Sequence, residues 1–270
     1  MENNLKIGIA GLGCVGGTLY KYLLTKTKHE VVQYDPPKGL NQSFIGCDAV
    51  FICVPVPHRE GFVSEEKMLP QDLSIVYEVF DKKKNEIQCP ILMRSTVTPG
   101  TCDALSKKYN LSVYSMPEFL TARRAEKDFS RQDVICSETV KPLIDEIFGK
   151  FSIRFSENME GELGKIVHNC FGALKVSFFN MIYDLCVDME ISYPKVLEII
   201  LSTGYINKEH TKVPGPDLKF GYGGVCFPTN MKAFENFLDY GMETGYFSSR
   251  TEYLKDMIGE AIAYNNGIDR

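Results

Sequence analysis

The sequence lacks several features that would assign the protein to particular classes. It has no basic excess, because its 270 residues carry a formal net charge of −5. Proteins that bind nucleic acid through charge present a basic patch on a basic domain, so we expect no nucleic-acid partner. The N-terminal stretch MENNLKIGIAGLG also lacks the charged start, the apolar core and the cleavage site of a signal peptide.

The sequence has no long uninterrupted apolar run. Its most apolar stretch, IVHNCFGALKVSFFNMIYDLC, is broken by His168, Lys175 and Asp184. A helix that spans a bilayer needs about 20 nearly uninterrupted apolar residues. We therefore expect a buried helix in a cytoplasmic protein with no membrane partner.

The cysteines lack the spacing of a metal or redox site. Their number is nine, which is odd, and no two of them form a C-x-x-C pair. Several lie in apolar runs such as FICVP and YDLCVD, where a reduced thiol behaves as a small hydrophobic group. We expect an intracellular protein with mostly buried, reduced cysteines and no metal site.

The first half alternates short β-rich runs with amphipathic stretches. The runs typical of strands lie at 5–10, 30–35, 49–54, 90–95, 111–116 and 133–138. The segments with helical spacing lie at 17–27, 70–83, 101–109 and 139–150. Such alternation produces right-handed βαβ crossovers and a mostly parallel sheet covered on both faces. The sequence predicts an α/β fold with a Rossmann-type doubly wound parallel sheet over residues 1–156.

Strand patterns stop after about residue 156. Residues 157–270 are predicted to form an all-helical domain with one long central helix at 157–190. Shorter helices are expected at 194–202, 229–240 and 251–265. The irregular segment at 203–228 is rich in glycine and proline, and a loop of that length inside a compact domain is usually functional.

The segment GLGCVG follows the first strand and opens a helix. In this context Gly11 permits a tight turn, Gly13 lets the backbone approach a pyrophosphate, and Gly16 lets helix and strand pack closely. The phosphates then sit at the helix N-terminus, where free N–H groups favour anions. We count Cys14 and Val15 of this turn as cofactor-binding residues too. The pattern predicts a dinucleotide-binding domain.

Asp35 ends the second predicted strand, 19 residues after Gly16. An acidic residue at this position accepts hydrogen bonds from the adenosine ribose and repels a 2′-phosphate. It therefore favours NAD over NADP.

Polar residues share one stripe of the long helix. Lys165, Asn169, Val176 and Asn180 fall within about 60° of one another at 100° per residue. An ammonium and two amides on an otherwise apolar helix indicate either a solvated edge or a functional group of side chains. The helix alone does not decide between them.

Six motifs occur in a fixed order along the chain: GLGCVG (11–16), FICVPVP (51–57), RSTVTPGT (94–101), MPEFL (116–120), the E-x-x-K-x-x-x-N helix (162–169) and GYGGVCFPTN (221–230). With them, the sequence from residue 5 to about 240 resembles the UDP-glucose/GDP-mannose dehydrogenase family. The VPGPD segment at 213–217 is similar to that of the family's short members. The resemblance implies NAD as the cofactor, and it adds Val54, Pro55, Ser95 and Thr96 to the cofactor-binding residues.

The family oxidises the primary alcohol of a sugar nucleotide to a carboxylate in two NAD-dependent steps. The resemblance implies that Lys165 and Asn169 stabilise an oxyanion. It implies that Cys226 attacks the aldehyde to give a thiohemiacetal and then a thioester. It also implies that Glu118, with Thr96, positions or deprotonates the hydrolytic water. UDP-glucose is the first candidate, followed by GDP-mannose and an N-acetylhexosamine analogue.

The resemblance also implies a set of substrate-binding residues: Glu118, Phe119, Leu120, Lys165, Asn169, Phe220, Gly221, Gly223 and Gly224. Cys226 lies between a glycine pair and Phe227-Pro228, so we expect it to be accessible on a restrained backbone, unlike the other eight cysteines. The long helix at 157–190 is expected to form a homodimer seam, since it is too apolar to be left exposed.

The chain departs from the family pattern at four points. Asn230, which we count among the catalytic residues, stands where the family has aspartate. Val56 stands where the family usually has threonine, and Ala122 where it usually has glutamate. The sequence ends at Arg270, so we expect a short form without the C-terminal nucleotide-binding domain. Two other functions therefore stay open: a catalytically impaired relative that binds NAD(H) or a sugar nucleotide as a sensor or sequestering protein, and a dehydrogenase of a small hydroxy acid.

Overall fold

The computed structural model describes residues 4–57, 71–130, 134–149 and 151–268. Residues 70, 133 and 150, at the ends of predicted elements, lie outside these ranges. The chain divides into two compact units, Met1–Lys165 and Ile166–Arg270. The boundary between the units lies inside the longest helix.

The first unit is built on a six-stranded sheet with the order β3-β2-β1-β4-β5-β6. Its strands are β1 (Lys6–Ala10), β2 (Glu30–Asp35), β3 (Leu40–Asn41), β4 (Ala49–Ile52), β5 (Ile91–Met93) and β6 (Val113–Ser115). All neighbouring pairs are parallel except β2 and β3. The helices are α1 (Cys14–Lys26), α2 (Ser74–Lys83), α3 (Thr101–Tyr109), α4 (Ala125–Phe129) and α5 (Lys141–Phe148).

The central strand β4 shows why both faces of the sheet are covered. All four of its residues are buried, and successive side chains point to opposite faces. Val50 and Ile52 pack in the core formed with α2 and α3, whereas Ala49 and Phe51 pack in the core formed with α1 and α5. A strand buried on both faces is typical of a doubly wound sheet.

One predicted strand lies outside the main sheet. Residues Val134–Cys136 form β7, which pairs in parallel with β8 (Ile153–Phe155) as a separate two-stranded sheet. The sequence does not predict β8, because Arg154 and Phe155 are exposed and its three residues carry no alternating pattern. Nor does it predict β3, whose two residues are too few for any periodicity.

The second unit is helical. Its elements are the C-terminal part of α6 (Asn158–Asp188), α7 (Tyr193–Ser202), α8 (Cys226–Glu243) and α9 (Glu252–Gly267). Ile166 and Cys170 of α6 share a core with Phe234 of α8 and Ile258 of α9. Among the described residues, α6 alone is long and apolar enough to cross a membrane, on length and composition only. Core helices of soluble proteins pass the same test.

Helix α8 begins three residues earlier than predicted. The sequence places its start at Thr229, after Pro228, whereas the structure places it at Cys226. Proline is tolerated there because N–H groups in the first turn have no intrahelical partner. Cys226 is therefore the first residue of a helix and not part of a loop.

Candidate active site and cofactor-binding residues

The turn between β1 and α1 has the geometry that the glycine pattern predicts. Gly11 has a φ of +86°, and a Cβ at this position would lie 2.6 Å from the Cys53 carbonyl oxygen. A Cβ on Gly16 would lie 1.9 Å from the Gly11 oxygen, so helix and strand approach too closely for a side chain. Within the described residues, nothing lies within 4 Å of the corresponding position on Gly13. The turn is thus closed on the protein side and open where α1 begins.

Asp35 lies against the same turn. Its Oδ2 accepts a hydrogen bond from the Leu12 N–H at 2.8 Å, which fixes the carboxylate at the start of α1. The Nζ of Lys38 lies 3.4 Å from that oxygen and also donates to the Leu12 carbonyl. A short 3₁₀ turn, Pro36–Lys38, holds this lysine in place. The sequence analysis did not identify Lys38. The pattern that could have predicted it is a lysine three residues after Asp35, in a turn restrained by two prolines.

The predicted cofactor residues of the later strands lie at the same edge of the sheet. Val54 and Pro55 follow β4, and Ser95 and Thr96 follow β5, so both pairs stand at the carboxyl ends of neighbouring parallel strands. The Ser95 hydroxyl donates to the Val54 carbonyl at 2.7 Å and joins the two segments. Ligands of open α/β sheets bind at this edge. A dinucleotide would fit this edge. The start of α1 offers open N–H groups, Asp35 offers a carboxylate for the ribose, and the segments after β4 and β5 complete the edge.

A buried ion pair lies at the end of β6. The Nζ of Lys165 is 3.3 Å from Oε1 of Glu118, and both side chains are more than nine-tenths buried. The other carboxylate oxygen of Glu118 accepts from the Leu120 N–H at 2.6 Å, and Lys165 lies 5.0 Å from the centre of the Phe119 ring. Each buried charge thus has a partner, without which burial would be costly. The structure brings together Glu118, Phe119, Leu120 and Lys165, whose role in substrate binding stays a prediction.

The polar stripe of α6 is not a solvated edge. Lys165, Asn169 and Asn180 are all buried, so that interpretation is wrong for these residues. A buried polar group on a helix must find partners elsewhere, and each of these does. Lys165, Asn169 and Asn180 are therefore shielded from bulk solvent and have either a structural or a functional role.

Arg94 is another buried cation of the first unit, which also buries Lys83 and Lys165. It is 6% exposed, and its Nε has no hydrogen-bond partner among the described residues. Burial lowers the pKa of Arg94, while the nearby groups of Cys53 and Glu118 raise it. Its guanidinium lies 5.6 Å from the centre of the Phe129 ring. Sequence reasoning missed this charge, since nothing in RSTVTPGT shows which way its side chain points.

In the second unit, Cys226 is exposed at the start of α8. Gly224, with a φ of +75°, and the exposed Val225 precede it. The expectation that all eight other cysteines are inaccessible is wrong for Cys14, which is also exposed because it opens α1 at the glycine turn. Cys89 is half-buried, and the remaining cysteines are buried. None of the nine cysteines, all of which lie in the described ranges, forms a disulfide.

Asn230 lies one helical turn after Cys226 and is buried. Its Oδ1 accepts a hydrogen bond from Nδ2 of Asn169 at 3.1 Å. The Oδ1 of Asn169 lies 3.2 Å from Nδ1 of His168. Two of the predicted catalytic residues thus form a neutral amide pair, which brings no net charge.

The glycine segment before α8 is anchored on both sides. The Gly221 N–H donates to Oδ1 of Asn180 at 2.9 Å, and the Tyr222 N–H donates to Oδ1 of Asn265 at 2.7 Å. The Phe220 ring lies 5.4 Å from that of Tyr183. Gly223 is half-buried and Gly224 is exposed. The buried amide of Asn180 and the half-buried amide of Asn265 thus hold the segment that leads to Cys226.

The described residues contain no group of three His, Cys, Asp or Glu side chains that could hold a metal ion.

Known proteins match the chain over both of its units. The sequence model of the UDP-glucose/GDP-mannose dehydrogenase family, NAD binding domain, matches residues 37–151, and that of the family's central domain matches residues 159–253. The first match confirms NAD as the cofactor. It does not extend to the glycine turn, whose assignment to NAD stays a prediction.

The curated relatives are longer than this chain. A UDP-glucose 6-dehydrogenase of Rickettsia prowazekii is 29% identical over 82% of this chain and 52% of its own length. One from Rhizobium meliloti is 30% identical over 72% of this chain and 46% of its own length. The chain spans about half the length of the curated relatives it matches.

Solved structures confirm the fold. A UDP-glucose dehydrogenase from Pyrobaculum islandicum superposes with a TM-score of 0.75 at 21% identity, over 97% of this chain and 69% of the other. A 3-hydroxyisobutyrate dehydrogenase from Mycobacterium tuberculosis gives a TM-score of 0.68 at 16% identity, over 99% and 97%. These similarities confirm a Rossmann-type unit followed by helices with one long member.

Proposed function

We propose, from the premise that the chain belongs to the UDP-glucose/GDP-mannose dehydrogenase family, that the protein oxidises a sugar nucleotide at its primary alcohol with NAD. The observation that carries the proposal is the buried pair of Lys165 and Glu118, 3.3 Å apart at the carboxyl edge of the NAD-binding sheet. UDP-glucose is the first substrate to test, since the curated relatives cited above are named as its 6-dehydrogenases.

NAD, when bound, accepts a hydride in each of two oxidations. For the second oxidation we assign Cys226 as the nucleophile, whose thiolate adds to the aldehyde carbon and leaves a negative charge on its oxygen. Lys165 and Asn169 are the assigned donors to that oxygen. Loss of hydride from the adduct leaves a thioester on Cys226.

We assign the hydrolytic step to Glu118 with Thr96. Water adds to the thioester carbon, Glu118 takes up its proton, and the carbon–sulfur bond breaks. The products are the sugar carboxylate and the free Cys226 thiol. Lys165, 3.3 Å away, offsets the charge of the Glu118 carboxylate inside the protein.

We also propose a cytoplasmic homodimer formed through the helix at 157–190. The helix observed there, α6, leaves large apolar side chains in solvent, among them Phe171 at 66% and Phe178 at 55% exposure. Exposed apolar surface of this extent on one helix is typical of an interface.

The test is to mix the purified protein with NAD and a panel of UDP-glucose, GDP-mannose, UDP-N-acetylhexosamines and 3-hydroxyisobutyrate, and to follow NADH absorbance. Two NADH per sugar nucleotide support the full mechanism, and one supports only the alcohol oxidation. Turnover of 3-hydroxyisobutyrate alone would replace the proposal with the small hydroxy acid. Binding of NAD and a sugar nucleotide without any turnover would replace it with a sensor or sequestering protein.

A further inference from the structure

Glu162 opens the E-x-x-K-x-x-x-N pattern, yet the proposed mechanism does not use it. It is only 2% exposed. Its Oε2 accepts a hydrogen bond from the Gly100 N–H at 2.6 Å, and its Oε1 accepts one from the Cys102 N–H at 2.7 Å. A single buried carboxylate on α6 thus binds two backbone N–H groups more than 50 residues away in the sequence.

These two N–H groups lie at the start of α3. The helix begins at Thr101, and Gly100, with a φ of +93°, is the residue that precedes it. N–H groups in the first turn have no intrahelical partner, and the positive end of the helix dipole favours a carboxylate there. Glu162 therefore serves as the cap that the chain of α3 itself does not supply.

The segment that Glu162 holds also carries the residues assigned to the cofactor and the water. The Ser95 hydroxyl ties its beginning to Val54, and the Thr98 N–H donates to Oε1 of Gln71 at 2.6 Å. The Thr101 hydroxyl closes the turn on the Thr98 carbonyl at 2.6 Å. The segment at 95–102 is thus fixed to the sheet at one end and to α6 at the other.

Lys165 lies three residues after Glu162, on the next turn of the same helix. Residues at this spacing are neighbours on the helix surface, so a displacement at Glu162 moves Lys165 with it. We propose that Glu162 is a positioning residue: by binding the N–H groups of Gly100 and Cys102 it sets the place of α6 on the 95–102 segment and thereby holds Lys165 beside Glu118. This inference rests on the proposed function.

The hydrogen bonds of Glu162 with the N–H groups of Gly100 and Cys102, which we call the Glu162 clamp, depend on pH. Burial raises the pKa of Glu162 to about 7, although the hydrogen bonds from Cys102 and Gly100 lower it. The titratable neighbours on α3 are the Cys102 thiol and Asp103, of which Asp103 raises the pKa further. Protonation gives one carboxyl oxygen a hydrogen, and that oxygen then faces an N–H with a donor of its own. The clamp should be complete above neutral pH and weakened below it.

The first experiment compares Glu162→Gln with the wild-type protein and with Glu160→Gln, which changes an exposed glutamate on the same turn of α6. The amide keeps the size of the side chain but meets one N–H with a donor. We expect kcat for the sugar nucleotide to fall about 10–100-fold, with the Kd of NAD unchanged, because small misplacements of a reacting group cost that much. The wild-type kcat should rise with pH through about 7, and this limb should be missing from Glu162→Gln only.

The second experiment does not depend on turnover. Amide hydrogen exchange should accelerate in Glu162→Gln both at 100–102 and at 163–168, and at neither place in Glu160→Gln. Faster exchange at 100–102 alone, with kcat and its pH profile unchanged, would show a purely structural cap and overturn the inference. If Glu162→Gln does not fold, a wild-type kcat that is flat between pH 6 and 8 overturns it as well. If the wild type has no activity, the proposed function fails separately, and exchange at 163–168 decides the positioning.

Discussion

Asn169 and Asn230 form a buried amide–amide hydrogen bond, with Nδ2 of the first 3.1 Å from Oδ1 of the second. Asn230 stands one turn after Cys226 in α8, at the position where the family has aspartate. An amide can hold a neighbour or a water molecule, but it takes up no proton and carries no charge. Asn230 therefore supplies a buried hydrogen-bonding group at this position, but no ionisable one.

Asn230→Asp should raise the turnover of the sugar nucleotide by roughly 10–100-fold, the usual contribution of one acid–base group. The new carboxylate can still accept the hydrogen bond from Asn169, so the packing should survive. The measurement is kcat from NADH absorbance under saturating NAD.

Asn180→Asp is the matched control, because Asn180 is also a buried amide but binds the Gly221 N–H. It should give no gain. If both the wild type and Asn230→Asp are inactive but still bind NAD and a sugar nucleotide, this result would contradict the proposed enzymatic function.

Cys226→Ser should stop the reaction after the first oxidation, because an alcohol does not form a labile thioester. The NADH yield should fall from two to one per sugar nucleotide. A second oxidation at the serine would instead leave a stable ester on the protein, which mass spectrometry detects. Cys89→Ser is the control, since Cys89 is half-buried and belongs to none of the proposed sites. Two NADH per sugar from Cys226→Ser would remove the covalent mechanism.

The sequence predicts the sheet well where hydrophobic pattern decides the structure. β4 and β5 are short but completely buried, so their apolar runs identify them. β3 and β8 escape prediction because two or three partly exposed residues have no pattern. The start of α8 is misplaced because Pro228 is compatible with the first turn of a helix as well as with a loop.

The candidate site is predictable only in part for a different reason. Motif spacing identifies Gly11, Gly16 and Asp35, since each answers a local requirement of the turn. The burial of Glu162 and Arg94 depends on segments far away in the sequence, which no short window contains. From the sequence alone, Glu162 is an ordinary charged residue on a helix. Only the structure shows that it binds the N–H groups of Gly100 and Cys102.

Stability should depend on pH through Glu162. Its pKa is about 7 in the folded protein and 4.5 without burial, so between these values the folded state keeps a proton that the unfolded state has released. Rising pH therefore lowers the free energy of unfolding across this window, by a total on the order of 3 kcal/mol. Below the window the group is protonated in both states, and above it the loss is complete.

Chemical denaturation at pH 5 and pH 8 measures this effect as the difference between wild type and Glu162→Gln. The wild type should lose stability relative to the variant as the pH rises. A difference that is constant with pH would show that Glu162 titrates normally.

NAD should bind about 10–100-fold more tightly than NADP, or about 1.4–2.7 kcal/mol, because we assign Asp35 to the ribose, where a carboxylate would repel a 2′-phosphate. Asp35→Asn should reduce this preference, since Lys38 would remain near the ribose without its carboxylate partner. Adding Lys38→Ala should weaken NADP binding again. Fluorescence titration of the reduced cofactors checks all three, and equal affinity of the wild type for both would contradict the role of Asp35.

The homodimer should depend on one stripe of α6. Phe171, Phe178 and Leu185 recur every seven residues and are each about half or more exposed in the single chain. Residues at that spacing lie on one face of a helix, and burying a large apolar side chain contributes about 1.5–3 kcal/mol. In a two-fold interface every substitution acts twice, so Phe178→Glu should weaken the dimer by roughly 1000-fold or more. Tyr253→Glu, at an exposed aromatic of α9, should leave the assembly unchanged. Sedimentation equilibrium at micromolar concentration distinguishes the two variants, and a monomeric wild type would remove α6 as a seam.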